Sequence, residues 1–139
     1  MPLVDRVLGL DYGERRIGVA ISDGLGLTAQ PHSVIDLAQM DLGKALAEII
    51  AEYEIKRVVV GLPVSLSGSE GEVAARARAF AAEVADLTGL GVEMYDERFT
   101  SVEAERVLLD AGARRSRRKS VRDKLAASVM LQGYLDSAR

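Results

Sequence analysis

The sequence predicts an α/β fold in which helices pack on a mixed five-stranded sheet. Three observations predict it. Two runs rich in Val, Ile and Leu, Arg6 to Leu10 and Arg16 to Ser22, stand at the start and are separated by Asp11-Tyr12-Gly13. That is the pattern of a β-hairpin. From Leu42 onward, helical apolar periods alternate with short apolar runs, as in successive βα crossovers. The 139 residues, 48% hydrophobic and 28% charged, suit one domain, 1–139, with a core of its own.

The elements follow in order. A third, weaker strand is expected between Leu27 and Ile35, and Pro31 demotes it to a sheet edge or a loop. Leu42, Leu46, Ile49 and Tyr53 fall on one helical face. Arg57-Val58-Val59-Val60-Gly61 shows no alternation, as expected of a strand buried on both faces. Ser69 and Glu72 read as a capping box for the next helix. Its apolar stripe is Val73, Ala77, Phe80, Val84 and Leu87, and Gly89 is its C-cap. Val92 to Tyr95 is a further strand, and Thr100 with Glu103 caps a helix that stops at Gly112. After a basic segment, Val121, Leu125, Val129 and Gln132-Gly133 mark the start and one face of a final helix. Right-handed crossovers and short connections leave few topologies for this order, and the ribonuclease H-like fold is one of them.

Composition removes several chemistries. Without cysteine there is no disulfide, thiolate zinc site, iron–sulfur cluster or thiol nucleophile. One histidine, His32, makes a zinc enzyme a poor fit, since zinc sites lean on His and Cys. A metal acting here would be held by carboxylates, which selects Mg²⁺ or Mn²⁺. Asp5, Arg6 and Asp11 in the first dozen residues do not read as a signal peptide, and no apolar run approaches the ~18 residues of a membrane span. A cytoplasmic protein without membrane contact is therefore expected. The net charge of −3 conceals a polarised chain. From Gly112 to Lys124, seven cations stand against the single acid Asp123, a local +6 on a remainder of −9. Such a segment is either a solvated loop or a contact for a polyanion.

Three acids occupy positions suited to chemistry. Asp11 directly follows the first strand, and Glu97 follows the last strand by two residues. If those strands are parallel, both carboxylates lie at the sheet end where open α/β sheets place their sites. Asp123 opens the final helix about two residues off its apolar stripe, with Ala126 and Ala127 small enough for close approach to the sheet. The three can converge. Equally, Asp11 can serve the hairpin turn and Asp123 can be an ordinary N-terminal helix acid.

Other features carry less. Asp11-Tyr12-Gly13 with Gly18 is similar to the phosphate-binding hairpin of actin-like ATPases and sugar kinases, which clasp ATP between two such domains; this length holds one. Alternatively, Gly13 makes the turn and Gly18 admits a close helix. No Walker loop is present. The stretch from Gly61 to Gly71, with Ser65 and Ser67, is either a phosphate cradle before a helix N-terminus or a tight βα connection. His32 reads as structural or surface rather than catalytic, and the tyrosines and phenylalanines are too scattered for a base-stacking platform.

Four ordered motifs then carry a resemblance over about Val7 to Leu135. They are Leu10-Asp11-Tyr12-Gly13 with Arg16-Ile17-Gly18-Val19-Ala20, Val60-Gly61-Leu62-Pro63, Asp96-Glu97-Arg98-Phe99-Thr100-Ser101, and Asp123-Lys124-Leu125-Ala126-Ala127. Together they resemble the YqgF family, also called RuvX, of ribonuclease H-like bacterial nucleases. That family is described both as Holliday junction resolvases and as nucleases that mature the 5′ end of pre-16S rRNA. The resemblance implies that Asp11, Glu97 and Asp123 are the catalytic and metal-holding acids, binding Mg²⁺ or Mn²⁺, with no other cofactor. It implies a nucleic-acid partner, structured RNA such as pre-rRNA or else branched DNA. It also favours phosphate binding by Arg114, Arg115, Arg117, Arg118, Lys119 and Arg122. The family loop after Leu62-Pro63 commonly has Asn and Asp where Ser65 and Ser67 stand here. The expected function is a metal-dependent nuclease maturing the pre-16S 5′ end. The rivals are a junction resolvase and a non-catalytic nucleic-acid-binding module.

Overall fold

A computed structural model describes residues 5–63, 71–96 and 115–138, and the side chains of 115–122 are outside it. Strands β1 (Arg6–Asp11) and β2 (Arg16–Ser22) form the expected antiparallel hairpin, with Leu8 opposite Ile21, Leu10 opposite Val19 and Asp11 opposite Gly18. Gly13 makes the turn, because a Cβ there would lie 2.5 Å from the Arg16 carbonyl oxygen. Strand β3 (Ala29–Asp36) pairs antiparallel with β2 at the sheet edge. Pro31 does not break it. The proline faces Ala20 where the register shifts, and an edge strand tolerates a missing N–H donor.

Helix α1 (Leu42–Tyr53) starts at Asp41, whose carboxylate accepts from the Lys44 N–H at 2.9 Å, and it buries Leu46 and Ile49. Strand β4 (Ile55–Leu62) runs parallel to β1 and is buried from Val58 onward. Helix α2 (Glu72–Thr88) ends at Gly89, which adopts φ 71° as a left-handed cap. Its start corrects the expected capping box: Gly71 is the cap and Glu72 the first helical residue, where its charge still complements the helix dipole. The stripe is also rotated. Val73 and Leu87 are about half exposed, whereas Ala74, Ala77, Phe80, Ala81 and Val84 are buried. Alanines weigh little in an apolar count, yet they let the helix come closest to the sheet.

Strand β5 (Gly91–Asp96) pairs parallel with β4, completing a five-stranded sheet in the order β3-β2-β1-β4-β5. Helix α3 (Arg115–Ser137) corrects two expectations. It begins inside the basic segment rather than after it, because Arg and Lys are good helix formers and no Gly or Pro interrupts Arg114 to Gln132. Its buried residues include Ala127, Met130, Leu131, Tyr134 and Leu135, while Leu125 and Val129 are only half-buried. The Ser65–Ser67 loop and the helix expected between Thr100 and Gly112 lie outside the described residues.

Two cores result, one on each face of the sheet. Leu8, Leu10, Ile17, Val19, Val58 and Val60 pack with Leu46, Ile49, Phe80 and Val84 of α1 and α2. Val7, Ala20 and Val59 pack with Ala127, Met130, Leu131 and Tyr134 of α3. This period-2 division decides which face each strand residue serves. Among the described residues no helix is long and apolar enough to cross a membrane.

The β2–β3 connection is organised by Asp23, which accepts from the Leu25 and Leu27 N–H groups and the Thr28 hydroxyl. The Leu27 N–H, and next the Thr28 hydroxyl, hold its carboxyl below the usual carboxylate range. A depressed folded pKa stabilises the fold above the unfolded value, and this contribution is lost as pH falls through the folded value. Asp23→Ala is therefore expected to melt a few degrees lower than wild type at pH 7. The gap should close as the pH falls below about 4 in paired thermal melts.

Candidate active site

The site is built from the carboxyl end of β1. Leu10 pairs with Val60, and Val60 with Met94, so β1, β4 and β5 end on the same side of the sheet. Along β1, Val7 packs against α3, and a Cβ on Gly9 would lie 2.9 Å from Leu131 Cβ. Alternation then directs Asp11 to the α3 face. Directly opposite Asp11 stands Gly18, and a Cβ there would fall 2.1 Å from the Asp123 carbonyl oxygen and 3.4 Å from Ala127 Cβ. The backbone of α3 thus lies directly on β2, a contact only glycine permits.

Asp123 sits one turn before Ala127 and continues the stripe of Ala127, Met130, Leu131 and Tyr134. This corrects the expectation that it opens the helix off the apolar stripe. It lies past two turns of helix and points to the sheet edge where β1 ends. The structure therefore brings Asp11 and Asp123 to one edge and one face. Glu97 directly follows Asp96 but lies outside the described residues, as do Arg114 and the side chains of Arg115, Arg117, Arg118, Lys119 and Arg122.

Two further groups join this edge. Arg16, two residues before Gly18, places Nε 3.1 Å from Asp123 Oδ2, an ion pair rather than an aligned hydrogen bond. Asp36 is registered opposite Arg16. Its Oδ1 accepts from the Ala38 N–H at 2.9 Å and from Arg15 Nε at 3.4 Å. The Ala38 N–H first, and then Arg15, hold its carboxyl below the usual range. Gly13, Glu14, Arg15, Arg16, Asp36 and Asp123 line an open cleft of about 420 Å³. Arg76 of α2 pairs with Glu14 at its rim. In the sequence Arg16 stands out only as part of a motif, and Asp36 does not stand out at all. The available signal was the two-residue period from Gly18, which puts Arg16 on the face of Asp11's partner.

The donor chemistry suits a hard divalent cation. Asp11 and Asp123 offer carboxylate oxygens, and neither thiolate nor imidazole is at hand. Among the described residues no three His, Cys, Asp or Glu gather into a metal-binding group, so a site needs a donor beyond these two acids. His32 bonds Ser33 Oγ at 2.7 Å and meets the Tyr53 ring edge-on at 5.3 Å, on strand β3. These two contacts tie its ring to β3 and α1.

Comparison with known proteins follows the same outline. Residues 5–137 match the family described as "RuvX: Holliday junction resolvase". A relative from Myxococcus xanthus is 47% identical over 136 residues, covering 96% of this chain and 89% of its own length. One from Symbiobacterium thermophilum is 49% identical over 139 residues, covering 95% and 92%. Both bear the name "Putative pre-16S rRNA nuclease". Among solved structures, T. thermophilus RuvC in complex with a Holliday junction substrate superposes with a TM-score of 0.58 at 18% identity, over 97% of this chain and 96% of that one. That likeness shows the expected ribonuclease H-like fold. Sequence match over nearly the whole chain and fold agree, and the chain belongs to the RuvX family.

Proposed function

We propose that this chain is a metal-dependent nuclease that matures the 5′ end of pre-16S rRNA in the cytoplasm. The observation that carries the reading is the contact of α3 on Gly18, which sets Asp123 beside the strand position registered to Asp11. Asp11, Asp123 and Glu97 would hold Mg²⁺ or Mn²⁺. A divalent ion bound there supplies activation of the attacking water and charge stabilisation of the leaving oxygen. The chain's own part is placement. A strand end and a helix packed on it through buried Ala127 and Leu131 hold Asp11 and Asp123 on rigid elements rather than loops. Arg115, Arg117, Arg118, Lys119 and Arg122, on the turns of α3 leading into Asp123, supply cations for backbone phosphates. Described aromatic rings are taken up in packing, Tyr12 on Phe80 at 5.0 Å and Tyr95 on Tyr134 at 6.2 Å. Selection then rests on RNA shape and strand accessibility rather than on base stacking.

The relatives' name favours rRNA, while the family description favours junctions, and one assay separates them. Purified protein with Mn²⁺ is offered a 5′-extended small-subunit rRNA precursor and a four-way DNA junction side by side. Shortening of the precursor, stopped by EDTA, is the expected result. Paired symmetric cuts in the junction with an intact precursor would establish the resolvase reading. Binding without cleavage of either would establish a non-catalytic module.

A further inference from the structure

Arg16 stands between two carboxylates. On one side its Nε is 3.1 Å from Asp123 Oδ2, with the two side chains 32% and 24% exposed. On the other, Asp36 is its registered partner across β2 and β3, and directly opposed residues share a face with Cβ atoms about 5 Å apart. Asp36 receives both Ala38 and Arg15 on Oδ1, which leaves Oδ2 to accept a guanidinium. An arginine stays charged at any pH the protein meets and can satisfy either acid.

We infer that Arg16 is a positioning residue, a resident counter-cation that holds Asp123 in the metal-free chain and passes to Asp36 when a divalent ion arrives. The inference rests on Asp123 being a metal-holding residue. A carboxylate set against the helix and strand backbone is costly without positive charge nearby, so the ion pair keeps Asp123 aimed while the ion is absent. The same pair competes with the ion. Arg16 therefore sets how tightly the site binds metal, and Asp36 lowers the cost of releasing Asp123.

Calorimetric titration of the full chain with Mn²⁺ tests this without recourse to cleavage. Arg16→Gln is expected to bind Mn²⁺ about two- to fivefold more tightly, the range a partly exposed ion pair can withhold. Arg15→Gln removes the same charge from the cleft without touching Asp123 and should shift affinity less. Asp36→Asn should weaken Mn²⁺ binding in the wild-type background and lose that effect in the Arg16→Gln background, a coupling read from the double-mutant cycle. If Arg16→Gln does not fold, Arg16→Met replaces it, keeping the length and packing of the side chain without its charge, with the same tightening expected. Affinity unchanged or weakened in the Arg16 variant, with Asp123→Asn deficient in binding, overturns the inference and leaves the carboxylate site standing. Unchanged Mn²⁺ binding by Asp123→Asn overturns the site itself.

Discussion

Asp123→Asn and Asp11→Asn are each expected to lower cleavage about a thousandfold, and Glu97→Gln to do the same, with little change in melting temperature. A bound divalent ion supplies several kcal/mol of charge stabilisation in phosphoryl chemistry, and each ~1.4 kcal/mol is tenfold in rate. Amide replacements keep the shape of the side chain while removing the charge that holds the ion. The cost to the fold is small. The pair that Asp123 makes with Arg16 is partly exposed and contributes below about 1 kcal/mol. Single-turnover cleavage and thermal melts of each variant check both halves. Wild-type rates in all three variants, or full activity in excess EDTA, would remove the carboxylates from the chemistry.

The second large effect concerns a residue with no side chain. Gly18→Ala is expected to destabilise the protein by about 3 kcal/mol, roughly a 10 °C fall in melting temperature. The new methyl group would sit 2.1 Å from the Asp123 carbonyl oxygen and 2.9 Å from its carbonyl carbon. Both atoms are backbone, so a rotamer change cannot relieve the clash and α3 must lift off β2. Metal binding should fall with stability, because the same displacement carries Asp123 away from the edge. Gly9→Ala is the contrast. Its Cβ would lie 2.9 Å from Leu131 Cβ, a much milder overlap than the 2.1 Å at Gly18, so α3 needs to shift less. Its melting temperature should fall less than that of Gly18→Ala. Equal losses would mean the close helix–strand approach is not what Gly18 is for.

Much of this was legible in order. The β1–β2 hairpin shows in two apolar runs about a short break, and the β4 run Val58-Val59-Val60 shows its double burial outright. The direction of Asp123 was not legible, for a reason in the residues themselves. Val121, Leu125 and Val129 look like a helix's apolar stripe, and they outweigh Ala127 and Tyr134 on any hydropathy count. Yet the seam of α3 runs through the small and amphipathic residues, because close approach at Gly18 demands Ala127 and because the Tyr134 hydroxyl reaches Glu93 at 2.9 Å. The start of α3 was hidden in a similar way: the charge of the basic segment leaves a solvated loop and a polyanion contact both open, while the helix propensity of Arg and Lys places it from Arg115 onward in the helix. Arg16 and Asp36 were hidden because their meeting depends on strand register, which spacing along one strand does not contain.

Helix α3 is fastened far from its working end. Gln132 accepts from the Ala29 N–H at 2.9 Å and donates to the Leu27 carbonyl at 2.8 Å, locking one turn of the helix to the start of β3. Tyr134 accepts from Arg57 at 3.2 Å and donates to Glu93, tying the next positions to β4 and β5. Asp123 stands about 14 Å up the axis from that clamp. Inserting or deleting one residue between 123 and 132 would swing Asp123 by about 100° around the axis and shift it by about 1.5 Å, turning it away from β1. Descendants of this chain can exchange residues of that span that face away from the sheet, but their lineage cannot change its length.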